Sequence, residues 1–225
     1  MGIASYIDHT LLKPEATRQQ IIQLCQEARE YGCAAVCVNP TWVALCKEVL
    51  ASSVVKVCAV VGFPLGANLP QIKALEALLA VRDGADEVDM VANIGSLKSG
   101  DLDLFKIDII TVSVAIPKVT LKVIIETCLL TEEEKNIACA IANDVGADFV
   151  KTSTGFSTKG ATTDDVKLMR LTVGDKIGVK ASGGIKDLAT AKAMLQAGAN
   201  RLGCSNSVAI IEEEISSSSL PCSGD

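Results

Sequence analysis

The amino-acid sequence predicts a single (β/α)8 TIM barrel of α/β class, and three observations lead there. Eight short apolar runs follow one another at intervals of mostly about 20 to 35 residues, the spacing of βα units. Four of the runs are introduced in the same way. A helical stretch closes on glycine, a small or polar residue follows, and the apolar run begins, as in Tyr31-Gly32-Cys33, Asp83-Gly84-Ala85-Asp86, Val145-Gly146-Ala147-Asp148 and Ala197-Gly198-Ala199-Asn200. A doubly wound open sheet, the other architecture built from such units, carries a glycine-rich fingerprint after its first strand, and this chain has none.

The strands are expected at residues 6–10, 35–38, 55–61, 87–91, 121–126, 149–151, 177–181 and 201–203. Glycine after a helix permits the left-handed residue that closes it. The helices between the strands carry start signals. Thr17 can cap a helix with Ile21, Leu24 and Ala28 on its apolar side. Pro70 suits the first turn of a helix reaching Arg82, with Ile72, Leu75 and Leu79 expected to face inward. Thr131-Glu132-Glu133-Glu134 is a capping box ahead of Ile137, Ala138, Ile141 and Val145. Asp187 can cap a helix whose apolar face is Leu188, Ala191, Met194 and Leu195. Residues 1–215 are expected to form the barrel domain, and residues 216–225, rich in serine, a disordered tail.

Composition narrows the function. Hydrophobic residues make up 49% of the 225 residues and aromatic ones only 3%, so the core is built from aliphatic side chains, as in buried parallel strands under helices. A net charge of −6 argues against nucleic acid as a partner, because phosphate-backbone binding needs a basic surface. No signal peptide and no membrane-spanning run is expected, which points to the cytoplasm. Nine cysteines without a C-x-x-C pair read as buried, reduced thiols. With His9 the one histidine and no paired-thiol spacing, no metal site is expected.

Three charged residues stand where apolar ones belong: Lys151 in Asp148-Phe149-Val150-Lys151, Lys180 in Ile177-Gly178-Val179-Lys180-Ala181, and Asp89 in Glu87-Val88-Asp89-Met90-Val91. A charge on a core strand costs several kcal/mol unless paired or hydrated. At the C-terminal ends of barrel strands, where such enzymes keep their chemistry, both lysines and the acid could share one mouth. An ordinary lysine is protonated at neutral pH, and a second ammonium beside it lowers its pKa. Lys180 would therefore activate Lys151 as a nucleophile, with Asp89 holding Lys180 charged and moving protons. Two loops of small residues, Ser182-Gly183-Gly184-Ile185 and Gly203-Cys204-Ser205-Asn206, fall where barrels bind phosphate. His9 and Trp42 read as structural, Cys37 as a buried thiol near the mouth, and Gly62-Phe63-Pro64-Leu65-Gly66 as a rim loop.

At these residues the chain resembles the deoxyribose-phosphate aldolases. The matching motifs, in order, are Ile7-Asp8-His9-Thr10-Leu11-Leu12-Lys13-Pro14, Val36-Cys37-Val38-Asn39-Pro40, Gly62-Phe63-Pro64-Leu65-Gly66, Gly84-Ala85-Asp86-Glu87-Val88-Asp89-Met90-Val91, Lys122-Val123-Ile124-Ile125-Glu126-Thr127, Asp148-Phe149-Val150-Lys151-Thr152-Ser153-Thr154-Gly155-Phe156 and Val179-Lys180-Ala181-Ser182-Gly183-Gly184-Ile185. The resemblance implies a lyase on a (β/α)8 barrel that needs no metal or cofactor. It would reversibly split 2-deoxy-D-ribose 5-phosphate into D-glyceraldehyde 3-phosphate and acetaldehyde. It implies Lys151 as the Schiff-base lysine, Lys180 as its perturbing neighbour and Asp89 as the acid of a proton relay, with Thr10 close to that relay. Phosphate-binding positions fall on Gly155, Gly183, Gly184, Gly203 and Ser205, and the family usually forms dimers or larger homo-oligomers. The chain departs from the family pattern at Cys204 and Asn206, and it lacks the C-terminal tyrosine many members have. The rivals are another lysine aldolase, a non-covalent isomerase, and a silent binding barrel.

Overall fold

Strands that are apolar on both faces need cover on both, and a closed ring of βα units supplies it. The computed structural model describes residues 2–218. Eight parallel strands close in sequence order into one barrel. The strands are β1 (Ile7–Leu11), β2 (Ala35–Val38), β3 (Lys56–Val61), β4 (Glu87–Val91), β5 (Thr120–Ile124), β6 (Phe149–Lys151), β7 (Gly178–Ser182) and β8 (Arg201–Cys204). The helices are α1 (Arg18–Tyr31), α2 (Val43–Val49), α3 (Pro70–Arg82), α4 (Ile94–Lys98), α5 (Leu102–Ala115), α6 (Glu132–Asp144), α7 (Thr163–Val173), α8 (Leu188–Gln196) and α9 (Ser207–Ser218). Every expected strand is present, and β5 ends two residues earlier than its apolar run.

Local chemistry sets the helix ends. Thr17 and Thr131 each form a complete capping box, with Gln20 and Glu134 as the returning side chains. Asp187 caps α8 through the Thr190 N–H. Gly32 closes α1 in the left-handed conformation.

Alternation along the strands divides the core in two. Val36, Val57, Val88, Val123, Val150, Val179 and Leu202 face outward and pack with the helices in one large apolar layer. Inside the barrel the apolar cluster is small: Leu12, Ala35, Cys37, Cys58 and Val60, with Phe63 resting on it. Beside it, the interior holds a cluster of charged side chains.

Two expectations change. Ile72, Leu75 and Leu79 do not face the core: they are 50%, 52% and 38% exposed, while Lys73, Ala74, Ala77 and Ala80 are buried. The helix is apolar nearly all round, so periodicity selects no face. The alanine side allows close approach of α3 to the sheet and to α5, and Lys73 decides the rotation. Residues 216–218, expected in the tail, continue α9, and the rest of that tail lies outside the described residues.

Lys73 Nζ donates to Asp108 Oδ2 at 2.8 Å and to the Val91 carbonyl at 2.9 Å, with both side chains fully buried. Asp108 Oδ2 also accepts the Asn93 N–H, so the pair ties α3 and α5 to the end of β4. Burial holds Lys73 below the usual lysine range and Asp108 above the usual carboxyl range, ahead of their mutual attraction. Lys73→Ala is expected to destabilise the fold by about 3–5 kcal/mol, because it strands a buried carboxylate, whereas Lys73→Met with Asp108→Leu is expected to cost far less. Urea unfolding of the two variants checks this, and equal losses would be incompatible with it.

Candidate active site

Residues of one parity on each strand point into the barrel, and among them seven charged side chains cluster: Asp8, Glu87, Asp89, Lys122, Lys151, Lys180 and Arg201. Asp89 is the hub. Its Oδ2 accepts from Lys151 Nζ at 2.8 Å and from Lys180 Nζ at 2.7 Å, and its Oδ1 accepts from Lys122 Nζ at 2.8 Å. The registers place Lys151 beside Lys180 and Lys122 beside Asp89. Below, Lys180 donates also to Asp8 Oδ2, Lys122 pairs with Glu87 Oε2 at 2.6 Å, and Arg201 bridges Asp8 at 2.6 Å and Glu87 at 3.2 Å.

The partners decide the charges. Burial alone would raise the Asp89 pKa, but Lys122, Lys151 and Lys180 outweigh it and hold the carboxyl well below the usual range. Burial opposes charge on Lys180, yet Asp8 and Asp89 raise its pKa above the ordinary lysine value, so it stays an ammonium. Lys122 is raised in the same way, chiefly by Asp89. Asp8, against its burial, is held at about 2 by Lys180, Lys122 and Arg201. Lys151 differs in two respects. Among the described residues its one ion-pair partner is Asp89, whereas each other interior cation has at least two. It is also the one interior cation that lines the mouth cavity, of about 280 Å³.

The same cavity is lined by Thr10, Gly155, Gly183, Gly184, Gly203 and Ser205, so these positions meet around one mouth with Lys151, whereas Cys204 and Asn206 do not line it. Thr10 Oγ1 donates to the Asp8 carbonyl at 2.8 Å and bonds to none of Lys151, Lys180 or Asp89. Gly183 is at φ +83°, and a Cβ there would stand 3.0 Å from Gly160 Cα, so the loops after β6 and β7 can close on each other only without a side chain. A Cβ on Gly203 would stand 3.3 Å from Lys180 Cε and 2.9 Å from Ser182 Cβ, so this glycine also leaves room for the lysine. Phe156 meets Phe63 edge to face at 5.2 Å over the rim.

His9 points away from the cavity, with Nδ1 2.9 Å from Ser207 Oγ and Nε2 2.8 Å from Glu27 Oε2, in keeping with a structural role. Trp42 packs on the outer core, and Cys37 is buried inside the barrel.

Sequence reading missed several members. Lys122, Asp8, Glu87 and Arg201 interrupt apolar runs just as Asp89 does, and that interruption was the available signal. Lys13 and Lys186 line the mouth from its rim. Glu126 is buried with a left-handed backbone (φ 52°), and its carboxylate accepts the Thr154 hydroxyl at 2.5 Å and the Thr154 N–H at 3.3 Å. Such a conformation costs a non-glycine residue on the order of 1 kcal/mol and here serves to anchor the loop that follows Lys151.

The model of the DeoC/LacD family aldolases matches residues 3–209. The chain belongs to this family. A deoxyribose-phosphate aldolase of Geobacillus sp. (strain WCH70) is 60% identical over 218 residues, which cover 96% of this chain and 98% of that relative. Another, from Streptococcus gordonii, is 58% identical over 217 residues, covering 96% and 99%. Among solved structures, the aldolase QR15 superposes with a TM-score of 0.92 at 43% identity, covering 95% of this chain and 96% of that one. The deoxyribose phosphate aldolase of Aeropyrum pernix, described as a tetramer, superposes at 0.81 with 32% identity, covering 95% and 91%. The chain is therefore an aldolase, a lyase, and the charged interior with its cavity is the DeoC/LacD barrel's candidate active site. No helix among the described residues of the aldolase is long and apolar enough to cross a membrane.

Proposed function

We propose that this aldolase reversibly cleaves 2-deoxy-D-ribose 5-phosphate to D-glyceraldehyde 3-phosphate and acetaldehyde through a Schiff base on Lys151. One observation carries the reading: of four interior cations, Lys151 alone reaches the cavity and has a single carboxylate partner. The interior holds four cations, Lys122, Lys151, Lys180 and Arg201, against three carboxylates, Asp8, Glu87 and Asp89. When Lys151 reacts as the free amine, three cations face three carboxylates and the buried cluster is balanced.

The free amine adds to the C1 aldehyde of the open-chain sugar, and water leaves to give an iminium. Loss of the C3 hydroxyl proton then breaks the C2–C3 bond, and the bonding electrons flow into the iminium as an enamine. Glyceraldehyde 3-phosphate departs, C2 is protonated, and hydrolysis frees acetaldehyde and the amine. Asp89 and Lys180, bonded to each other beside Lys151, carry the protons together with a water. The glycine loops, with Gly155, Gly183, Gly184, Gly203 and Ser205, receive the phosphate, and Thr10, on β1 next to β8, also lines the cavity. The reading implies a role in deoxyribose phosphate catabolism in the cytoplasm.

Borohydride reduction of the protein in the presence of acetaldehyde is expected to leave an ethyl adduct on Lys151, located by mass spectrometry of its peptides. A protein that turns over deoxyribose 5-phosphate yet gains no adduct there would rule the covalent mechanism out. We also propose a homodimer or larger homo-oligomer formed through α3 and α5, supported by the exposed Ile72, Leu75, Leu79 and Ile107. Ile72→Lys with Ile107→Lys is expected to yield monomers by light scattering, and unchanged mass would exclude that face.

A further inference from the structure

We infer that the barrel interior also binds a thiophilic divalent cation, zinc or cadmium, through Cys37, Cys58 and Asp89, and that occupation of this site switches the aldolase off. In the sequence the two cysteines lie far apart, but the register of β2 on β3 sets Cys37 directly beside Cys58. The two sulfurs and a carboxylate oxygen of Asp89 all lie within 4.8 Å of one another, and all three residues are fully buried. Two thiolates bound to a tetrahedral zinc stand about 3.8 Å apart, so little movement is needed. Cys58 Sγ already donates to Asp89 Oδ1 at 3.0 Å, and its proton sits where a metal would bridge the same atoms.

Charge balance permits the exchange. One divalent cation enters, two thiol protons leave, and the net charge of the interior is unchanged. Thiolate donors select zinc or cadmium over magnesium or calcium. The three protein donors leave a fourth position for water, as in open zinc sites.

The consequence falls on one residue. With Asp89 Oδ1 bound to the metal, Lys122, which donates to that oxygen and to Cys58 Sγ at 3.3 Å, keeps Glu87 at 2.6 Å, while Oδ2 stays with Lys180 and Lys151. Lys151 keeps Oδ2, but a carboxylate that shares its charge with a divalent cation is a weaker base, so Lys151 loses the proton carrier beside it. The switching thus rests on the reading of Lys151 given above, whereas the binding does not.

The test titrates the full chain with cadmium alone, followed by its thiolate charge-transfer band in the ultraviolet, and separately assays aldol cleavage with zinc. The wild type is expected to take up one more equivalent of cadmium than Cys37→Ala or Cys58→Ala, with Cys139→Ala matching the wild type. Zinc is expected to lower wild-type turnover at least about 10-fold, reversibly on adding a chelator, and Cys58→Ala is expected to need at least about 10-fold more zinc for the same effect. An identical cadmium band in the wild type and in Cys58→Ala overturns the site, whatever the activity of the variant. A site that forms as expected while zinc leaves turnover unchanged overturns the switching. A wild type that cleaves no deoxyribose 5-phosphate without zinc counts instead against the proposed function.

Discussion

Lys151→Met is expected to lower turnover of deoxyribose 5-phosphate by about 10⁴-fold or more while leaving a barrel at least as stable as the wild type. The two halves have one cause. A methionine cannot form an iminium, so the route through the enamine is closed. It also removes a cation from a buried cluster that has one more cation than carboxylate, and Asp89 keeps Lys122 at 2.8 Å and Lys180 at 2.7 Å. Methionine matches the lysine stem in volume and adds no polar group. A purely structural Lys151 would give the opposite pattern: lost stability with retained turnover. Steady-state rates and urea midpoints on the same preparations separate the two outcomes. A variant keeping a tenth of wild-type turnover would remove Lys151 from the chemistry.

Asp89→Asn is expected to do both kinds of damage. The amide leaves Lys122, Lys151 and Lys180 converging on a neutral group, and four interior cations then face only Asp8 and Glu87. Breaking a buried ion pair from one side costs about 3–5 kcal/mol, so a large shift in the urea midpoint is expected. Turnover should fall at least about 10²-fold even well below that midpoint, since the proton carrier is lost. Lys122→Met added to Asp89→Asn should recover part of the stability and none of the turnover. If the double variant regains neither, charge imbalance is not what the single substitution costs.

Much of the fold could be read directly from the chain. The eight strands, the capping boxes of Thr17 and Thr131 and the closing Gly32 depend on neighbours within a few residues, and those neighbours are written side by side. Lys151, Lys180 and Asp89 stood out for the same local reason, each being a charge set in an apolar run. The glycine loops were legible because backbone that closes as tightly as Gly183 on Gly160 leaves little room for a side chain.

What the chain determined alone was therefore the order of its elements, their ends, and which strands carry a charge. Tertiary structure decided which charges meet. A strand buried on both faces shows the parity of a residue but not which parity is inside, so Lys122, Asp8, Glu87 and Arg201 joined the cluster only once the barrel closed and its register was set. The same closure brought Cys37 to Cys58. On α3 the apolar residues run all round the helix, and the buried Lys73–Asp108 pair, formed between residues 35 apart, chose the face that periodicity left open. Interactions between distant residues depend on strand stagger and helix rotation, quantities that no local window of sequence contains.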